Sequence, residues 1–316
     1  MSEPSQRPFL PPLIVIVFGI LAVSTGSIFV RYAQVYAPSI VIAAYRLGLA
    51  TLFLAPVALI KHRSDLVNIQ GRDRWLAIGS GIFLALHFAT WISSLEFTTV
   101  VSSVVLVSTA PIWVALLSPI TVKEPLTKPI LIGMGLAFVG VIVVGISDVC
   151  SIDSGKLLCP SFNDFIRGEA FIGDLLALAG AWMAAGYLLI GRRLRGGISL
   201  VPYIFVVYGI AAIVLIGLMF ASGQSAIGYP PQTYVWLILL ALVPQLMGHS
   251  SFNWALGYLS AAFVSITLLG EPIGSAMLAY ILLDETPTIL KIIGAILILA
   301  GIFVASRGEA NRKALQ

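Results

Sequence analysis

The feature that most constrains this chain is the recurrence of long apolar runs, separated by short polar breaks, from one end to the other. A helix that crosses roughly 30 Å of hydrocarbon needs about 20 apolar residues, and the chain offers such a run again and again. Strands of a membrane barrel alternate apolar and polar over about ten residues. Residues 13–30 are instead apolar on every face. The runs are therefore read as helices, which satisfy their own backbone polar groups where lipid offers no partner. Composition agrees: 59% of the 316 residues are hydrophobic and only 10% are charged, against about 25% charged in a soluble domain. A soluble α/β enzyme is excluded on this ground.

Charges, prolines and glycines divide the chain into ten expected spans, near residues 13–30, 39–60, 75–95, 99–120, 130–147, 172–191, 200–221, 233–256, 259–282 and 288–306. With the N-terminus in the cytoplasm, thirteen of the eighteen Lys and Arg residues fall inside, among them Lys61, Arg72, Lys123, Arg192 and Arg307. Only Arg31, Lys156 and Arg167 fall outside, while Arg46 and Lys291 lie within spans. This bias predicts that both termini are cytoplasmic and that the protein is a multi-pass protein of the inner (plasma) membrane, with lipid as its main partner. The first run follows Arg7 but lacks a small-residue cleavage site, so it is read as a retained helix. The net charge of +4 is scattered over loop ends, where topology accounts for it, and no nucleic-acid partner is expected.

Laying the sequence on itself with a shift of 161 residues reveals a repeat. Pro111, Glu124, Gly133 and Gly140 fall on Pro272, Glu285, Gly294 and Gly301, and twelve of the 33 positions in 111–143 are identical to their partners. Upstream, Trp75 falls on Trp236 and Leu95 on Leu256, while the match is faint over the first two spans of each half. With five spans per half, the second half must enter the membrane from the opposite side. The expected fold is thus all-α, ten transmembrane helices in two inverted five-helix repeats, an organisation common among secondary transporters.

The segment 99–144 contains Thr109-Ala110-Pro111 and Lys123-Glu124-Pro125-Leu126-Thr127, followed by Gly133 and Gly140. It resembles the repeat unit of EamA-type transporters of the drug/metabolite transporter superfamily. The second copy, with Leu269-Gly270-Glu271-Pro272, Leu283-Asp284-Glu285 and Gly294 through Gly301, is similar to the second such unit. The resemblance covers nearly the whole chain: a first unit at 1–147, an extracytoplasmic connecting loop at 148–171, a second unit at 172–308 and a cytoplasmic tail at 309–316. It implies a secondary transporter of small molecules, with amino acids, other metabolites, sugars or nucleotide sugars as substrates and export as a frequent direction. Two departures are Glu271, where many members carry an uncharged residue, and the cysteine-containing loop between the halves.

Ionisable and polar groups inside a span need a partner, a cavity or water, because insertion of a charge costs at least about 2.5–3.5 kcal/mol. Arg46, His87, His249 and Glu271 are such groups. His87 and Trp91, and likewise Gln245, His249 and Asn253, recur at intervals of four and share a face if their helices are α-helical. These residues, with Trp182 and Tyr187 as aromatic wall, are expected to line a central substrate cavity. Alternatively the histidines and amides form interhelical hydrogen bonds that hold the bundle. Arg46 either meets a substrate carboxylate or phosphate or pairs with Glu271 or Glu96. Glu271 exchanging a proton with a histidine would couple transport to a proton gradient.

Other residues read as architectural. Glu124 and Glu285 are placed to accept from N–H groups opening the fifth and tenth helices. Pro111 and Pro272 mark kinks, static or hinged. Gly133, Ala137, Gly140, Gly294 and Gly301 provide close helix packing or a homodimer contact. Cys150 and Cys159 are expected to form a disulfide in the outer loop, and their spacing is not that of a zinc site. No metal or cofactor is expected, and no phosphate-binding loop, His-Glu-x-x-His or Gly-x-Ser-x-Gly sequence occurs. A membrane-embedded enzyme and a channel-like facilitator are the alternatives from other classes.

Overall fold

The computed structural model describes residues 8, 10–98, 103, 106–149, 151–153, 156–158, 169–283 and 289–314. Helix α1 (Pro12–Ser24) runs through Thr25 into α2 (Gly26–Gln34). Then come α3 (Ser39–Lys61), the short α4 (Arg63–Val67), α5 (Gly71–Phe97), α6 (Ala110–Thr121) and α7 (Lys128–Val149). After a small hairpin, α8 (Glu169–Arg195) and α9 (Leu200–Ala221) follow. The next span is composite: α10 (Pro231–Leu240), a π-helical stretch Ala241–His249 and α11 (Ser250–Ala255). Helix α12 (Ala261–Thr267) passes through a 3₁₀ turn, Leu268–Gly270, into α13 (Glu271–Leu283), and α14 (Ile289–Ala314) completes the chain.

Among the described residues seven helices are long and apolar enough to cross a membrane, and three shorter apolar ones, Ala110–Thr121, Lys128–Val143 and Ala261–Ser275, fall on the remaining apolar runs of the sequence. Apolar side chains cover the outside of the bundle as well as its core. Ile60 and Ile120 are each 79% exposed and Trp75 is 72% exposed, a surface suited to lipid rather than water. The all-α expectation needs one amendment. Strands β1 (Ser151–Asp153) and β2 (Lys156–Leu158) pair antiparallel in the connecting loop, Ser151 opposite Leu158. Cys150 and Cys159, which flank them, and Glu285 lie outside the described residues.

The helix contacts are reciprocal under the offset of 161 residues, as a two-fold relation between the halves requires. Helix α5 packs along α8, and its equivalent, the composite span, packs along α1. Helices α3 and α9 pair with each other, and so do α7 and α14. In this last seam a Cβ added to Gly133 would stand 2.5 Å from the Gly301 carbonyl oxygen, and one added to Gly140 would stand 2.6 Å from that of Gly294. The two contacts exchange under the offset, and only glycine lets the backbones approach so closely. These glycines are therefore used for close helix packing inside one chain.

Both prolines singled out in the sequence stand at the start of a half-helix. Pro111 opens α6 just after a turn at Ser108 and Thr109, and Pro272 is the second residue of α13, after the 3₁₀ turn. A missing N–H is harmless there, since the first helical N–H groups have no intrahelical acceptor. Each half thus breaks a span at its centre, and Ala110 and Glu271, which are 161 residues apart, are the first residues after the break.

Candidate functional site

A cavity of about 880 Å³, open solvent included, lies between the two halves. Most of its wall consists of residues that are equivalent under the repeat: Val23 with Ala184, Phe88 with His249, Trp91 with Phe252, Val107 with Leu268, Ser108 with Leu269, and Ala110 with Glu271. Phe88 and His249 touch, their ring centroids 5.2 Å apart. Two equivalent residues meet only where the axis relating them passes between, so the cavity lies on that axis. Arg46, His87, Pro111, Tyr187, Leu188 and Ser265 complete the wall.

The polar residues are the ones that break the equivalence. Glu271 corresponds to Ala110, His249 to Phe88, and Arg46 to Val207 on α9. His87 corresponds to Gly248, and the local geometry shows what the exchange does. In one half Gly248 lies against α1 at Gly19. In the other, the His87 ring occupies the matching gap, with Nδ1 2.9 Å from the Gly180 carbonyl oxygen. His87 also lies parallel to Trp91, at 6.2 Å between centroids and 2° between planes. The i, i+4 spacing on α5 produces this stack.

Arg46, 1% exposed, is held from two directions. Its Nε donates to Gln245 Oε1 at 2.8 Å, and its guanidinium carbon lies 4.1 Å from the centroid of the Phe88 ring. Neither sequence-expected ion pair forms. Glu96 accepts from the Ser39 N–H at 2.9 Å, and the two ion pairs among the described residues are His62–Asp65 and Arg192–Glu124. Glu271 shares the cavity with Arg46 but is not paired with it.

Three residues expected in the wall are elsewhere. Gln245 is buried behind Arg46, and Asn253 donates to the hydroxyl oxygens of Tyr187 and Tyr208. The common face for Gln245, His249 and Asn253 presumed α-helical winding. The π stretch, wound i→i+5 across Pro244 and Gly248, turns them to different sides. Trp182 is 45% exposed and packs edge-on against Trp113, at 5.4 Å, on the outside of the bundle. Conversely, the sequence reading passed over Phe88, Phe252 and Ser108. The repeat offset applied to His249, Trp91 and Leu269 points to all three.

One end of the bundle is tied across the halves. Glu124 accepts from Arg192 Nε at 2.6 Å and from the Ala261 N–H at 3.1 Å, and Arg192 also donates to the Leu256 carbonyl at 2.8 Å. Glu124 thus reaches an N–H that opens α12 in the opposite half, where the sequence reading sent it to the helix that follows it. Beside it, Ser260 caps α12 through its bond from the Phe263 N–H while donating to Glu309. Among the described residues no three His, Cys, Asp or Glu side chains gather as a metal site.

The chain was compared with known proteins. It is 23% identical to an uncharacterized transporter of Archaeoglobus fulgidus over 84% of this chain and 86% of that protein. It is 25% identical to the uncharacterized transporter YyaM of Bacillus subtilis over 90% of each. A solved structure described only as a crystal structure of a protein shares the fold, with a TM-score of 0.73 and 17% identity over 95% of this chain and 98% of that one. A family model matches twice, at residues 10–146 and 171–307, the same displacement of 161 residues that the repeat and the cavity wall obey. The chain is a multi-pass membrane protein that belongs to the EamA-like transporter family.

Proposed function

We propose that this protein is a secondary active transporter that exports small polar metabolites, such as amino acids, across the inner membrane by alternating access. In this reading ten spans form two inverted halves with both termini in the cytoplasm, no cofactor takes part, and the chain is not an enzyme. The observation that carries it is the cavity on the axis between equivalent residues of the two halves. A site on that axis is equally distant from both sides of the membrane, so small movements of one half against the other open it to either. The tie between Glu124, Arg192 and Ala261 supports the same reading, since it closes the end that the charge bias assigns to the cytoplasm.

Counterflow in liposomes tests the proposal. Saturable exchange of a labelled solute against unlabelled solute supports a transporter, non-saturating flux points to a channel-like facilitator, and a chemically altered solute points to an enzyme. Proton coupling is a second reading, favoured by Glu271 sharing the cavity with His87 and His249. Accumulation abolished by a protonophore supports it, and accumulation that survives the protonophore overturns it.

A further inference from the structure

We propose that the cavity takes a dipolar solute, an anion at one end and a cation at the other, with its carboxylate on Arg46 and its ammonium on Glu271. The inference rests on the transport reading and names the substrate class. Arg46 comes from the first half and Glu271 from the second, and neither has a charged equivalent, since Val207 and Ala110 stand in those places. The two opposite charges face one cavity without forming an ion pair. Arg46 hydrogen-bonds through Nε alone among the described residues, which leaves both terminal guanidinium nitrogens without an acceptor there. The Trp91 Nε1–H, in the same wall and 94% buried (6% exposed), has no acceptor either. The carboxylate of Glu271 correspondingly accepts from no donor among the described residues; Ser24 donates to its backbone carbonyl instead.

A buried donor without an acceptor is unfavourable, and a carboxylate that faces the same cavity without a donor is open to a partner of opposite charge. A planar carboxylate fits the guanidinium fork with a lone pair left for the indole N–H, and an ammonium supplies donors to Glu271. The same wall carries apolar residues, Val107 and Leu268 among them, which suits a hydrocarbon side chain. A solute so bound joins the two halves through its own charges. A mono-charged solute satisfies one half and leaves the other charge bare.

The experiment uses full-length protein in liposomes and counterflow of matched labelled probes: leucine, its amide leucinamide, which keeps only the cation, and 4-methylpentanoate, which keeps only the anion. Leucine is expected to exchange at least about tenfold better than either, the scale of one hydrogen bond to a charged group. Glu271→Gln is expected to abolish the preference for leucine over 4-methylpentanoate, and Trp91→Phe, which keeps the ring but removes the N–H, to weaken leucine binding about tenfold. Leucinamide or 4-methylpentanoate exchanging as well as leucine overturns the assignment, as does a preference that survives Glu271→Gln. Exchange of glucose or uridine but none of the three probes overturns the dipolar site and leaves transport standing. Silence towards all five overturns both readings.

Discussion

The halves of this protein meet in two places, and the two meetings are governed differently. In the seam between α7 and α14 the glycines keep the repeat: Gly133 lies on Gly301 and Gly140 on Gly294. In the cavity the same offset pairs Glu271 with Ala110, His249 with Phe88 and Phe252 with Trp91. In the seam, backbone lies against backbone, and any Cβ must displace main chain. In the cavity, side chains border open space, and a change there meets side chains rather than opposing main chain. The duplicated glycines therefore stay alike where backbones pack, and duplicated positions diverge where side chains border the cavity.

The largest expected effect is in the seam. Gly140→Leu and its equivalent Gly301→Leu each drive a side chain into opposing backbone, and each is expected to destabilise the fold by about 3 kcal/mol, read as a lowered thermal midpoint in detergent. Equal losses would sharpen the comparison; a well-folded variant at either position would break it. Next comes Gln245→Leu. It takes the acceptor from a fully buried Arg46 and is expected to cost about 2 kcal/mol, although Gln245 does not face the cavity. Stability unchanged by this replacement would mean that Phe88 alone suffices to hold the guanidinium.

Smaller effects follow from the tied end and from the wall. Arg192→Gln removes an ion pair whose side chains are 21% and 10% exposed. The expected loss is about 1 kcal/mol, together with faster labelling of a cysteine placed at Ala261. Labelling no faster than in the parent would deny that this bond closes the bundle. Phe252→Trp makes one cavity pair alike again. Because Phe252 is buried, the larger ring is expected to cost about 1 kcal/mol, while altering solute preference in counterflow. The smallest effect belongs to the connecting hairpin. Its register sets Ser151 against Leu158, and the sequence expects Cys150 and Cys159, next along the chain, to be joined. An intact-mass spectrum that changes on reduction, with transport unaltered, is the expected result.

Much of the fold was legible because lipid imposes a simple rule. Length and apolarity mark the spans, and the spacing of Gly133, Gly140, Gly294 and Gly301 marks the seam before any contact is seen. Arg46, His87, Trp91, Tyr187, His249 and Glu271 were legible for a related reason: a polar group in an apolar run needs somewhere polar to be, and the central cavity is where these six are found. Facing was not legible where the winding departs from 3.6 residues per turn. Nothing in the pattern of Gln245, His249 and Asn253 announces a π stretch, although Pro244 and Gly248 weaken the ordinary ladder there. Trp182 shows a second limit, since an aromatic ring is equally at home in a wall and against lipid. The reach of Glu124 to Arg192 and Ala261 shows a third, because a partner in the other half leaves no local trace in the sequence.

The π stretch has a mechanical meaning as well. A span wound i→i+5 in its middle is a screw with a change of pitch, and its two ends hold their headings only while that pitch is kept. Rewinding the stretch to ordinary pitch would swivel everything beyond it, carrying Phe252 and Asn253 to new bearings while α10 stayed in place. The same span that anchors Arg46 through Gln245 and presents His249 to the cavity is thus also an axle, able to re-aim its far end without lengthening the chain.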